Sequence, residues 1–158
     1  MGIELVRIDD RLIHGQIVMA WCKAITIERI VVIDDEVALD SIRKMLFEAV
    51  APPGIAVSIL NVLQGIESLR TDAFAKEKLL ILVTSPAAIL TLVENGLVIN
   101  KVNIGGMSFS KGKTVVTKAV SISATDKQAF KELHEQGLKL QIQQLPHDVP
   151  LDLMGKIN

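Results

Sequence analysis

Short apolar runs alternate along this chain with segments whose apolar positions recur every three or four residues. The runs predict buried strands, and the spaced segments predict helices with one apolar stripe. Strands are expected at residues 4–8, 29–33, 56–60, 79–83, 101–104 and 138–142. Two shorter ones, at 114–116 and 119–122, read as an edge pair. A first helix covers 15–24, with Ile17, Trp21 and Ala24 at helical spacing. A second carries Ile42, Met45, Leu46 and Ala49 and stops at Pro52-Pro53-Gly54, because proline cannot continue a helix. A third carries Val62, Ile66 and Leu69. A fourth opens at Thr84-Ser85-Pro86, where Ser85 suits an N-cap and Pro86 the first helical position, and ends at Asn95-Gly96. Residues 125–136 form another, with Ala129, Phe130 and Leu133 inward, and a weak last helix spans 151–157. Such alternation with short connections predicts an α/β fold. The expectation is one doubly wound domain over residues 1–158, with a mostly parallel sheet of six to seven strands, helices on both faces and an antiparallel edge strand.

Composition narrows the functional classes. Hydrophobic residues make up 49% of the 158 and charged residues 22%, which suits a packed core. Mean hydropathy is +0.40, as expected of strands buried on both faces. No apolar run approaches the roughly 20 residues that span a bilayer, and the N-terminus reads as neither a signal peptide nor an anchor. The chain is therefore expected to stay in the cytoplasm without inserting into the membrane. A net charge of −1 and 3% aromatics give nucleic acid neither a basic surface nor stacking platforms. The single cysteine, Cys22, excludes an internal disulfide and reads as a small apolar core residue. Neither His134 nor His147 stands at metal-ligand spacing. The acidic Asp34-Asp35-Glu36 reads as a helix start that complements the helix dipole. No metal and no cofactor are expected.

The densest chemistry lies in Arg7-Ile8-Asp9-Asp10-Arg11-Leu12-Ile13-His14-Gly15-Gln16. This stretch follows the first strand and precedes the first helix. In an open α/β sheet the loop after a strand is where ligands meet side chains. The residue types suit phosphoryl chemistry, with an imidazole as nucleophile, arginine to neutralise phosphate and a carboxylate to orient the ring. His14 is the candidate nucleophile and Arg11 the candidate phosphate ligand, through a bidentate fork that lysine lacks. One of Asp9 and Asp10 orients the ring, and the other caps the helix. Arg7, at the strand end, is either a structural ion pair or a phosphate- or partner-binding residue. Gly15 leaves room for close approach, and its helix start offers backbone N–H groups to phosphate. Thr84 and Ser85 after the fourth strand, with Gly105 and Gly106 after the fifth, are candidates for the same crevice.

This loop resembles the signature of the enzyme IIB component of the mannose/fructose/sorbose class of the bacterial phosphoenolpyruvate-dependent sugar phosphotransferase system. The resemblance continues in Trp21, in Asp34-Asp35-Glu36 through Arg43-Lys44, in Ala51-Pro52-Pro53-Gly54, in Asn103-Ile104-Gly105-Gly106-Met107, and in Lys111-Gly112-Lys113 through Ala119-Val120-Ser121. It covers nearly the whole chain. It implies a phosphoryl carrier and sugar phosphotransferase that accepts phosphate from the phosphohistidine of a IIA partner onto the histidine matching His14. The group then passes to a sugar entering through membrane IIC and IID subunits, to which the protein is peripheral. The resemblance leaves open the sugar and the formation of a homo-oligomer.

Two other classes compete. A nucleotide-binding α/β enzyme is suggested by Gly106 through Thr114, which nearly reads as a P-loop. That run has five residues between its glycines where the pattern wants four, and it leads into the strand-like Val115-Val116. A receiver-like signalling module could use Asp9-Asp10 as its acidic pair and Thr84 as its switch residue. Its phosphoacceptor aspartate is missing after the third strand, where the chain has Leu60-Asn61.

Overall fold

A computed structural model describes residues 2–157. Its nine strands are β1 (Gly2–Asp9), β2 (Arg29–Ile33), β3 (Ala56–Leu60), β4 (Lys78–Val83), β5 (Lys101–Gly106), β6 (Thr114–Thr117), β7 (Val120–Ile122), β8 (Lys139–Ile142) and β9 (Leu151–Asp152). Seven form one sheet in the order β3-β2-β4-β1-β5-β8-β9, parallel except for β9, which pairs antiparallel with β8 at the edge. The helices are α1 (Cys22–Ala24), α2 (Asp35–Ala38), α3 (Ser41–Val50), α4 (Val62–Arg70), α5 (Pro86–Glu94), α6 (Ala124–Glu135) and α7 (Met154–Ile157). A π-helical turn, Ile17–Trp21, runs directly into α1, so residues 15–24 form one helix with a local widening of its turn. The doubly wound expectation holds. The expected final helix divides into β9 and the short α7. The 114–122 pair forms a separate two-stranded antiparallel sheet, β6–β7, and not the edge of the main one.

Alternation along the buried strands sends neighbouring residues to opposite faces. Val31, Ile33, Leu79, Ile81 and Val83 pack on one face against Ile89 and Leu92 of α5 and Phe130 and Leu133 of α6. Ile30, Val32, Leu80 and Leu82 pack on the other against Ile17, Trp21 and Val37. Local signals set the helix starts. Asp34 and Asp40 accept the backbone N–H groups of Val37 and Arg43, and Asn61 with Gln64 and Ser123 with Asp126 close capping boxes. Among the described residues no helix is long and apolar enough to cross a membrane.

Two features of this topology position a site. β1 lies between β4 and β5, and its chain leaves toward the Trp21 face while the β5 chain leaves into β6–β7. Their C-terminal ends therefore bound the kind of crevice in which open α/β sheets place ligands. The P-loop-like run instead leads into β6, a strand, so it has no helix N-terminus for phosphate.

One helix departs from its pattern. In α3, Ile42, Met45, Leu46 and Val50 all stand exposed, as does Leu39 just before it, and none of its residues is buried. Its Phe47, half-buried, packs against the core cluster that holds Trp21, Ile30, Val32 and Leu80. Periodicity reports that a stripe exists, not what covers it, and α3 leads into β3, the edge strand of the sheet. Replacing Ile42 and Leu46 together by serine should therefore shift unfolding free energy by no more than about 0.5 kcal/mol. Ile33→Ala, in the packed core, should lose about 2–5 kcal/mol. Urea denaturation of both variants checks the contrast.

Candidate active site

Asp9 ends β1, and its carboxylate has no exposure to solvent. It accepts from three cationic or ring donors at once. Arg7 Nη2 reaches Oδ2 at 3.1 Å, Arg11 reaches Oδ1 through Nε at 3.0 Å and Oδ2 through Nη2 at 3.0 Å, and His14 Nε2 lies 2.9 Å from Oδ2. The Arg11 backbone N–H adds a fifth bond, to Oδ1, at 3.2 Å. Burial alone would push the Asp9 carboxyl up. Hydrogen bonds from His14 and Arg11, with the charges of His14 and Arg7, outweigh it and hold the group well below the usual carboxylate range.

The loop that closes this cluster is tightly turned. Leu12 adopts a left-handed backbone at φ 59° while its side chain is fully buried in the core. Such a conformation is costly for a residue with a Cβ and persists only where packing enforces it. Leu12 N–H bonds to Asp9 O at 2.9 Å, and the next residues open the helix at 15–24. His14 O accepts from Val18 N–H at 3.0 Å, so His14 stands at the helix N-terminus. The Gln16 backbone N–H lies 3.3 Å from His14 Nδ1. A donor on Nδ1 leaves the ring proton on Nε2, where Asp9 accepts it. The imidazole is thus held between a carboxylate and a helix start, its side chain 17% exposed.

Arg7 is placed differently from the phosphate- or partner-binding expectation. It is fully buried and unable to meet a visiting group. Its Nη1 donates to Asn103 Oδ1 and to Gln143 O at 2.9 Å, and its Nη2 donates to Gln144 O at 3.1 Å as well as to Asp9. Trp21 covers the cation at 5.2 Å and sends its own Nε1–H to Gln144 O at 2.9 Å. Burial draws the Arg7 guanidinium down from its usual range, and Asp9 opposes that shift. Arg7 is therefore the structural anchor that fixes Asp9. Gly105 is corrected with it: a Cβ there would land inside the Arg7 guanidinium, so this glycine makes room for the anchor and is itself buried.

The remaining expected residues separate. Asp10 neither orients the ring nor caps the helix. It accepts from Ser108 N–H at 2.6 Å and Ser108 Oγ at 3.1 Å, and its own N–H bonds to Gly106 O, tying the β1 loop to the β5 loop. Gly106 lies against Asp9 Oδ1 and Arg11 Nη2 and lines a cavity of about 500 Å³ with Asp10, Arg11 and Ser108. Arg11 is the exposed arginine of the pair, at 43%, and also donates to Gln16 Oε1 at 3.0 Å. Gly15 is exposed, with open space where a Cβ would stand. Thr84 and Ser85 line a different cavity. Thr84 Oγ1 donates to Asp34 Oδ1 at 2.9 Å, and neither residue borders the cavity at Arg11. Asp35 accepts from Val62 N–H, so the acidic run caps and ties helices. Among the described residues no three His, Cys, Asp or Glu side chains gather as a metal site.

Sequence reasoning missed Asn103, Gln16, Gln143 and Gln144 as parts of this cluster. Asn103 carried a readable signal, a polar residue inside an apolar strand. Gln143 and Gln144 act on Arg7 through carbonyls, which any residue type supplies, so no sequence signal marks them.

Residues 3–158 match the family described as PTS system sorbose subfamily IIB component. The chain is 42% identical over its full length to the sorbose-specific EIIB component of Lacticaseibacillus casei, covering 96% of that protein. It is 42% identical to the mannose-specific EIIAB component of Escherichia coli K12 and spans about half of that longer protein, 49%. The crystal structure of the IIBSor domain of the sorbose permease from Klebsiella pneumoniae superposes with a TM-score of 0.96 at 39% identity, covering 100% of this chain and 97% of that one.

Two outcomes follow from this cluster. Gly105→Ala should displace Arg7 and cost about 3 kcal/mol or more in urea unfolding, as expected when a buried charged network is broken. The Asp9 contribution to stability should follow pH in one direction. Its pKa is depressed by folding, so the stabilisation is complete above the unfolded value of about 4 and is lost as pH falls through the folded value. The gap in unfolding free energy between the natural chain and Asp9→Asn should stay flat from pH 7 to about 5 and shrink steadily toward pH 2.

Proposed function

The chain belongs to the IIB components of the sorbose subfamily of the sugar phosphotransferase system, and from that premise we propose that His14 is its phosphoryl carrier, with Nδ1 as the atom that bears the group. Components of this kind work with IIA proteins and with membrane IIC and IID subunits, as sugar-phosphotransferase parts. In this reading the IIA phosphohistidine gives its phosphoryl group to His14, and a sugar hydroxyl presented by the membrane subunits removes it. The protein works at the cytoplasmic face, peripheral to those subunits.

The observation that carries the reading is the pairing of the two ring nitrogens. Nε2 is bonded to Asp9, and Nδ1 accepts, among the described residues, from the Gln16 N–H at 3.3 Å, a long bond that a phosphoryl group can displace. The lone pair on Nδ1 is the nucleophile. As the P–N bond forms, positive charge develops on the ring, and the buried Asp9 carboxylate already accepts the proton-bearing side. The incoming group brings about −1.5 to −2 charge. Arg11, exposed beside the ring, and the N–H groups at the helix start are the donors placed to receive its oxygens. The transition state is loose, so the protein's contribution is position and charge.

The receiver-like alternative has lost its acidic pair, since Asp9 is buried under three donors and Asp10 is engaged by Ser108. His14→Ala should retain the fold and lose all phosphate uptake from a phosphorylated IIA protein of this class, measured by radiolabel transfer. The label on the natural chain should survive alkali and be released by mild acid. Labelling that persists in His14→Ala, or that alkali removes, rejects the assignment.

A further inference from the structure

Residues 107–122 carry Lys111, Lys113 and Lys118 and no aspartate or glutamate, in a chain whose net charge is −1. They form the β6–β7 hairpin and its leading loop, outside the main sheet and joined to it through Met107, which bonds to Ala119 O and accepts from Ser121 N–H. Phe109 and Val115 on this segment are 64% and 61% exposed. The hairpin borders the cavity of about 500 Å³ whose other wall holds Asp10, Arg11 and Gly106. Ser108 is held by both Asp10 oxygens, so the base of the hairpin keeps a fixed place relative to Arg11. An apolar, cationic platform is thus built onto the edge of the carrier site, larger than the phosphoryl group requires.

We infer that the β6–β7 hairpin is the docking surface for the phosphoryl-donor protein, recognising a partner whose own site is rimmed by carboxylates and apolar side chains. The inference rests on the carrier reading of His14. Two partners must reach that ring, and charge separates them. Membrane proteins concentrate lysine and arginine in their cytoplasmic loops, which a cationic hairpin repels. A donor bearing a phosphohistidine and a carboxylate rim is drawn to it, with the encounter rate raised by opposite charge. Phe109 and Val115 then supply the desolvated contact that holds the complex.

The test uses two donors and the variant Lys111→Glu/Lys113→Glu. One donor is a phosphorylated IIA protein of the mannose/sorbose class. The other is phosphoramidate, whose P–N bond breaks as the P–Nδ1 bond forms and ammonia leaves, and which needs no docking surface. With the protein donor, kcat/KM should fall tenfold or more at low salt and approach the natural value near 0.5 M salt. With phosphoramidate the rate should be unchanged, which also reports an intact fold. Lys111→Glu alone, at the exposed loop, should give a smaller loss of the same salt dependence. Onward transfer from the phosphorylated chain to sugar through the membrane subunits should not fall, since the acidic pair no longer repels cationic loops. Equal rates with the protein donor, an equal loss with phosphoramidate, or a loss in onward transfer would each overturn the inference and leave the carrier reading standing. A natural chain that takes phosphate from neither donor overturns both.

Discussion

Everything at the site depends on one buried carboxylate that is never left unpaired. Removing an ionised group from water is expensive, and the cost is recovered only when every lone pair finds a donor. Asp9 satisfies that condition through Arg7, Arg11 and His14 together. Each donor requires its own support. Arg7 needs the space at Gly105, the Trp21 ring and the carbonyls of Gln143 and Gln144. His14 needs the left-handed Leu12 to turn the chain. The loop is rigid because these requirements interlock, and a rigid loop is what positioning chemistry demands.

The fold was legible because buried parallel strands read as continuous apolar runs and because their helices begin with recognisable caps. β2 coincides with its apolar run for that reason, and β4 differs from its own by one residue. The α3 stripe was misleading, since amphipathic spacing is identical whether the apolar side faces a core or water. At the site, the side chains that carry charge were all readable from one ten-residue loop. Their division of labour was not. Arg7 and Arg11 are the same residue type four positions apart, yet one is sealed under Trp21 and the other stands in solvent. Strand alternation and the approach of β5 and the segment after β8 decide that, and both are long-range facts. Thr84 and Ser85 were assigned to the wrong crevice for a related reason. A strand end alone does not say which neighbour its loop will meet, and here it meets Asp34.

The two aspartates show how adjacent residues of one type acquire different work. Asp9 is the last residue of β1 and points under the loop, where it is buried. Asp10 faces the β5 loop and fastens Ser108. The first holds the His14 ring and the second sets the place of the hairpin, so a single strand end governs both.

Charge balance explains why such a site would hold a phosphoryl group without trapping it. Two guanidiniums against one carboxylate give Arg7, Arg11 and Asp9 together one excess positive charge. A phosphoryl group on Nδ1 brings about two negative charges, and the ring that bears it becomes positive. The loaded cluster is then close to neutral, with Arg11 able to turn from Asp9 toward the phosphoryl oxygens while Arg7 stays in place to keep the carboxylate paired. A second mobile arginine would hold the group more tightly and slow its departure, since binding the loaded state better than the transition state raises the barrier to transfer. Burying Arg7 removes that possibility, and the same burial makes the guanidinium a permanent counter-charge for Asp9.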